Sequence, residues 1–503
     1  MKRIGYRFLA AISLIAAIVT VAIMACSAAM AETRPHYGGT LRVMQQSAPE
    51  ALELLAHPAT PANATPTDYW DMTRTLALIG DTLVKLDAQG RPQPALAVAW
   101  QSDATARHWH FTLRRGVRFH DGSAASSEAI AQILGALHTD WNVRTSVDSL
   151  TIDSETPMPS LLAELALPRN LVLQRNADGI PIGTGPFIVA EWQPAKLLKL
   201  AANEDSWEGR PFVDAVEIEF GKSLRDQAVA LELDKADVIE AAPQGGSGSQ
   251  RQGAPSTSSP SSLLPLSSSV ELLALVFPAN SKAQDPRLRE ALALAIDRKP
   301  IQSVLLKGAG EPAASILPNW MTGYSAVFSA QVDPQRARTL LAESRQPALS
   351  LSYALSYDAR DPQAQLIAER IALNAREVGI TVQISLSGAE DIRLLRVVLP
   401  SPDPATSLAE AARQLGLAQP VLPAARGDHL AELYQAERGL LDGWAVIPLF
   451  HLPVASAASA RVHDWAADRL GKWSGGALSL ADVWLENSTA DSRADSELQA
   501  GPR

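Results

Sequence analysis

Three of the four Asp-Pro pairs in the second half of the chain constrain its fold most, because each reads as the start of a helix: Asp285-Pro286, Asp333-Pro334 and Asp361-Pro362. Proline suits the first helical position, where its fixed φ is already helical and its missing N–H has no partner to lose. After the first pair, Leu288, Ala291, Leu292, Ala295 and Ile296 form one apolar stripe. The helix opened by Asp361 runs to Val378, stops before Gly379 and feeds Ile380-Thr381-Val382-Gln383-Ile384. Such a helix-to-strand step belongs to layered α/β architecture. The first half supplies the matching strands. Thr40-Leu41-Arg42-Val43 follows a Gly38-Gly39 pair, Trp109-His110-Phe111-Thr112-Leu113 alternates, and Ala215-Val216-Glu217-Ile218-Glu219-Phe220 alternates apolar with acidic residues. Ser126 or Ser127 caps a helix that continues through Leu137. The fold class expected is therefore α/β, without internal repeats.

At 503 residues the chain exceeds what one core usually holds, so at least two lobes are expected. Its net charge of −10 argues against a nucleic-acid partner, which needs a cationic surface. At the N-terminus, Lys2, Arg3 and Arg7 precede an apolar run over residues 8–25, the order of a secretory signal. Ala29-Met30-Ala31 fits a peptidase site that leaves Glu32 first, whereas Ile23-Met24-Ala25-Cys26 fits a loose lipoprotein box that makes Cys26 the lipidated residue. The run is also nearly long enough for an uncleaved membrane helix. All three readings place the remaining chain in a periplasmic or extracytoplasmic compartment, and no second spanning run follows. Cys26 is the single cysteine, so the body has no disulfide, thiol nucleophile or thiolate metal site.

Residues 245–269 are rich in Ser, Gly, Pro and Gln and read as an enlarged surface loop or a lobe crossing; the end of the chain after Glu486 reads as a frayed tail. Enzyme signatures are missing. There is no His-Glu-x-x-His, no Gly-x-Ser-x-Gly elbow, no Walker loop and no dinucleotide fingerprint, and no cofactor is expected. His108 and His110 share a strand face, which reads as a polar surface before it reads as a chelate.

Several phrases, in order, carry a resemblance. They are Tyr37-Gly38-Gly39-Thr40-Leu41-Arg42, Asp81-Thr82-Leu83-Val84-Lys85-Leu86-Asp87 with Pro94-Ala95-Leu96-Ala97, and the long segment Trp109-His110-Phe111-Thr112-Leu113-Arg114-Arg115-Gly116-Val117-Arg118-Phe119-His120-Asp121-Gly122. Gly183-Thr184-Gly185-Pro186-Phe187, Asn203-Glu204-Asp205-Ser206-Trp207, Arg287-Leu288-Arg289-Glu290-Ala291-Leu292 with Ala295-Ile296-Asp297-Arg298, and Pro448-Leu449-Phe450-His451 complete the set. Together they resemble the family 5 extracellular solute-binding proteins, which include the oligopeptide, dipeptide and nickel binders of ABC importers. Most of these residues read as structural: glycine turns, caps and helix ion pairs.

The resemblance implies a two-lobe periplasmic-binding-protein clamp, class II-like, with an extra domain inserted in the first lobe. It implies a monomer that captures peptides and delivers them to ABC permease and ATPase subunits, membrane-attached only through its signal or a lipid. The implied boundaries are 1–31 for the signal, 36–270 for the first lobe with its insertion at roughly 70–182, 271–447 for the second lobe, 448–486 for the return, and 487–503 for the tail. The segment between Leu137 and Gly183 is shorter than the family pattern. Ser47, Trp320, Ser401, Asp403 and His451 are the candidate ligand contacts, with Trp444 near the hinge as packing. Peptide-binding members carry an Asp that pairs with the ligand amine. Here, in Val397-Val398-Leu399-Pro400-Ser401-Pro402-Asp403-Pro404, that position is Pro400. Either Asp391 or Glu390 takes the role, or the solute is a non-peptide such as a metal chelate, an opine or a sugar.

Overall fold

The computed structural model describes residues 35–53, 66–87, 90–241, 261–263, 269–324, 326–344, 352–385, 390–420, 429–464 and 480–486. Residues 1–34, which include the segment read as an export signal and Cys26, most of the 245–269 stretch and residues 487–503 lie outside the described residues. Among the described residues, no helix is long and apolar enough to cross a membrane.

Two large sheets organise the chain. The first runs in the order Phe187–Gln193, Leu197–Ala202, Ala215–Glu219, Thr40–Met44, Val238–Ala241, Ala455–Ser459, Ser261–Leu263. Its centre is parallel, with Thr40–Met44 lying between Ala215–Glu219 and Val238–Ala241. Leu41, Val216 and Ile218 face one core, and Met72 and Leu76 of the helix Pro66–Leu76 pack into that core as well. The alternation read over residues 215–220 is thus a half-buried strand.

The second sheet runs Glu311–Pro312, Val446–Pro453, Ser269–Val276, Ile392–Val398, Ser352–Ser356, Thr381–Ile384. It is covered on both faces. Leu273 and Leu275 of the central strand face the helices Pro286–Ala295, Pro334–Glu343 and Pro362–Val378, while Leu272, Ala274 and Val276 face Pro404–Gln414 and His429–Leu441. A strand buried on both sides reads as a continuous apolar run, not an alternation. All three expected Asp-Pro helices form, and each Asp caps its own: Asp285 accepts from Arg287 N, Asp333 from Arg336 N, and Asp361 from Gln363 N and Ala364 N. The last helix closes on Gly379 at φ +101°, in the left-handed region that suits glycine.

A third, antiparallel sheet of Ala97–Ser102, His108–Leu113, Ser149–Asp153 and Asn142–Ser146 falls, in sequence, between strands of the first sheet. Helix Ser127–Leu137, capped by Ser126, covers it. The chain returns from the second sheet to the first with only Val454 between Val446–Pro453 and Ala455–Ser459. The second-sheet strand therefore continues through the 448 boundary read from the sequence, because residues 448–453 still pair with Ser269–Val276.

Candidate functional site

The family phrases converge on structure. In Gly183-Thr184-Gly185-Pro186-Phe187, a Cβ at Gly183 would lie 2.1 Å from the Ile79 carbonyl oxygen, and one at Gly185 would lie 2.7 Å from the Ile79 carbonyl carbon. Only glycine permits this backbone crossing. The buried Asp81 carboxylate accepts from Thr184 Oγ1 at 2.9 Å and from Trp207 Nε1 at 2.8 Å, binding three phrases into one knot. His108 is held by Asp153 at 2.8 Å on an exposed strand face, consistent with a polar surface. Among the described residues, no group of three His, Cys, Asp or Glu is placed to hold a metal ion.

The zone where the lobes meet is different in kind. Helix Pro66–Leu76 buries one face in the first lobe and packs its other side on the second-sheet strand Ile392–Val398. Three further contacts join the lobes. Asp68 accepts from Arg360 at 2.7 Å, Glu410 accepts from Arg169, and Gly90, at φ +76°, brings its backbone against Pro402. Carboxylates gather here from four elements. Asp71 comes from the helix, Glu240 from the first sheet, Glu271 from the central strand of the second sheet, and Asp361 from the cap of Pro362–Val378. Arg396 answers two of them, at 2.9 Å from Asp361 and 3.4 Å from Glu271. Burial pushes Asp71 well above the usual carboxylate range, and the Glu240 charge adds to the effect while Arg74 opposes it. Burial also raises Glu240, against the Gln227 amide, and raises Glu271, against Arg396.

The same region holds buried polar atoms without a partner: Gln45 Oε1 and Ser47 Oγ, just past the first strand, and Trp70 Nε1 on the helix. A buried donor or acceptor left unsatisfied costs about 1–3 kcal/mol. In open α/β sheets, ligands bind outside the carboxyl ends of parallel strands, which is where Gln45 and Ser47 stand.

The residues proposed from the sequence separate clearly. Ser47 is buried here with a free hydroxyl. Trp320 is 46% exposed on the short helix Asn319–Thr322, after a loop pinned by His451 and Glu437. Ser401 is buried, exchanging hydrogen bonds with Ser407 and accepting from Asp403 N at 3.1 Å. Asp403 caps a fourth Asp-Pro helix, Pro404–Gln414, accepting from Thr406 N at 2.8 Å. His451 is buried and donates Nε2–H to the Ile316 carbonyl at 3.0 Å. These last three side chains are thus engaged within the second lobe. So are both replacement acids: Asp391 accepts from Lys282 N and Ala354 N, and Glu390 accepts from the Ser356 hydroxyl and pairs with Arg393. Trp444 stacks on Phe328 at 4.2 Å, as packing.

Sequence reasoning passed over Gln45, Asp71, Glu240, Glu271 and Arg396. The available signal was a lone carboxylate within an apolar strand, as in Val238-Ile239-Glu240-Ala241 and Val270-Glu271-Leu272-Leu273. Such an acid is either paired or functional.

Comparison with known proteins agrees with this architecture. The family described as bacterial extracellular solute-binding proteins, family 5 Middle, matches residues 91–392. The nickel-binding periplasmic protein of Escherichia coli K12 is 25% identical over 354 residues, covering 63% of this chain and 66% of that protein, less than two thirds of its length. Two solved structures share the fold. NikA from Staphylococcus aureus, in complex with Ni(L-His)2, superposes with a TM-score of 0.73 at 17% identity, over 89% of this chain and 100% of its own. A dipeptide-binding protein from Pseudoalteromonas sp. SM9913, in complex with Met-Leu, gives a TM-score of 0.73 at 19% identity, over 89% and 100%. These relatives are named for binding, not for catalysis. The chain belongs to the family 5 extracellular solute-binding proteins, on the two-lobe scaffold of ABC-importer binding components.

Proposed function

We propose that this chain captures short peptides outside the cytoplasmic membrane and delivers them to the permease and ATPase subunits of an ABC importer. The observation that carries the reading is the set of buried, unpartnered polar atoms where the lobes meet: Gln45 Oε1, Ser47 Oγ and Trp70 Nε1. They include both acceptors and a donor. A peptide backbone offers donors and acceptors in close succession, so it answers such a lining with main-chain bonds and leaves side-chain identity loosely read. The shared fold with a dipeptide-binding protein supports this reading, and the export signal supports its location.

A second reading keeps the scaffold and changes the solute to a metal chelate, an opine or a sugar. It is favoured by Pro400, where the peptide-binding pattern has an acid, and by the nickel-binding relatives. Native mass spectrometry of the purified protein, followed by denaturing extraction and sequencing of what is released, separates the two. A heterogeneous set of short peptides supports peptide capture. A single non-peptide mass, or a protein that retains no peptide from any pool, overturns it.

A further inference from the structure

We propose that Asp71 and Glu240, with the side-chain carbonyl of Gln45, form a cation subsite that holds the ammonium group of the captured solute. The inference rests on the peptide reading above, where that ammonium is the peptide N-terminus.

The placement follows from strand register. Val43 pairs with Val238 and Met44 with Ile239, so the next pair brings Gln45 beside Glu240 on one face. Val43 and Val238 lie in the core that also holds Met72 and Leu76, so this is the face that helix Pro66–Leu76 covers. Gln45 is 7% exposed, and its Oε1 has no partner. Glu240 Oε2 accepts from Gln46 N at 2.7 Å and from Gln227 Nε2 at 2.9 Å, which fixes the carboxylate in place. No described residue donates a hydrogen bond to the Asp71 carboxylate, although Asp71 is buried.

The chemistry of what is missing selects the ligand group. The open positions on Gln45 and Asp71 are acceptors, so the group that completes them is a donor. Charge narrows the choice further. Of the two arginines near the cluster, Arg396 is engaged by Glu271 and Asp361, which leaves Arg74 alone against Asp71 and Glu240. The cluster therefore holds one more acid than base, and because burying that acid as an unpaired charge is strongly unfavourable it keeps its proton until a cation is present. The upward displacement of both acids by burial fits a site that is neutral until a cation arrives. An ammonium supplies the positive charge and three N–H donors in one compact group.

The test offers the purified protein an enzymatic casein hydrolysate, untreated or N-acetylated with acetic anhydride, and reads retention by native mass spectrometry. Wild type, Asp71→Asn and Glu240→Gln are compared, with melting curves to confirm that each variant folds. The expected result is that wild type retains untreated peptides at least about tenfold better than acetylated ones, a difference of about 1.4 kcal/mol. Both variants, being isosteric and uncharged at the altered position, are expected to lose that preference. Equal retention of acetylated peptides by wild type, or folded variants that keep the preference, overturns the subsite while leaving peptide capture intact. Retention of neither preparation overturns peptide capture itself, and the subsite with it.

Discussion

Replacing His451 by Gln tests whether this histidine serves the fold or a ligand. His451 is 5% exposed on Val446–Pro453, and its Nε2–H donates to the Ile316 carbonyl. Burial pulls its pKa from 6.5 to about 4, although the carbonyls of Ile316 and Ser315 pull the other way. The group is a base whose folded value is depressed. Above pH 6.5 it is neutral in both states and contributes no pH dependence. As pH falls below 6.5, the unfolded chain takes up a proton that the folded chain refuses, and stability is lost until about pH 4. Each tenfold change in proton affinity is about 1.4 kcal/mol, so the full loss is about 3 kcal/mol, of which about 2.5 kcal/mol has accrued by pH 4.5. Glutamine keeps an N–H donor for Ile316 but does not titrate. At pH 7.5 the variant is expected to be less stable by about 1–2 kcal/mol through poorer packing. Urea unfolding at pH 7.5 and pH 4.5 then shows the gap between wild type and variant moving by about 2.5 kcal/mol in the variant's favour. Every other titrating group is common to both proteins and cancels. A gap that stays within about 0.5 kcal/mol refutes the reasoning, as does an imidazole NMR titration centred near its ordinary value.

Gly183→Ala forces a Cβ to within 2.1 Å of the Ile79 carbonyl oxygen, so a loss of about 3 kcal/mol or failure to accumulate folded protein is expected, read from the melting temperature. Asp403→Ala removes a helix cap and is expected to cost about 1 kcal/mol in urea unfolding, with peptide retention unchanged. Retention that collapses while stability holds would return Asp403 to the ligand. Glu410→Gln weakens the contact with Arg169 between the lobes, where Glu410 is 1% exposed. Arg169 keeps Glu164 as a partner, so a loss of about 1–3 kcal/mol is expected, with a larger radius of gyration by X-ray scattering. An unchanged radius would show that the pair does not hold the lobes together.

What could be read before folding depended on where each element's contrast lay. The helices begun by Asp285, Asp333 and Asp361 announce themselves locally, because the cap and the proline act within one turn. Asp403-Pro404 carries the same local signature and opens Pro404–Gln414, inside the segment where the family resemblance implies ligand contacts. Half-buried Ala215–Glu219 was visible as an alternation, whereas Ser269–Val276 and Val446–Pro453, covered on both faces, have no period to detect. The candidate site was least legible of all. Gln45, Asp71 and Glu240 are unremarkable in sequence, and only strand register together with a helix that bridges two lobes brings them to one place.

The single residue between Val446–Pro453 and Ala455–Ser459 also limits how the molecule can move. Both strands are hydrogen-bonded into their own sheets, so neither can lengthen to let the lobes slide apart. At this crossing the two sheets are therefore tied within a single residue, Val454, so a change in the angle between them here is a change in that residue's backbone torsions.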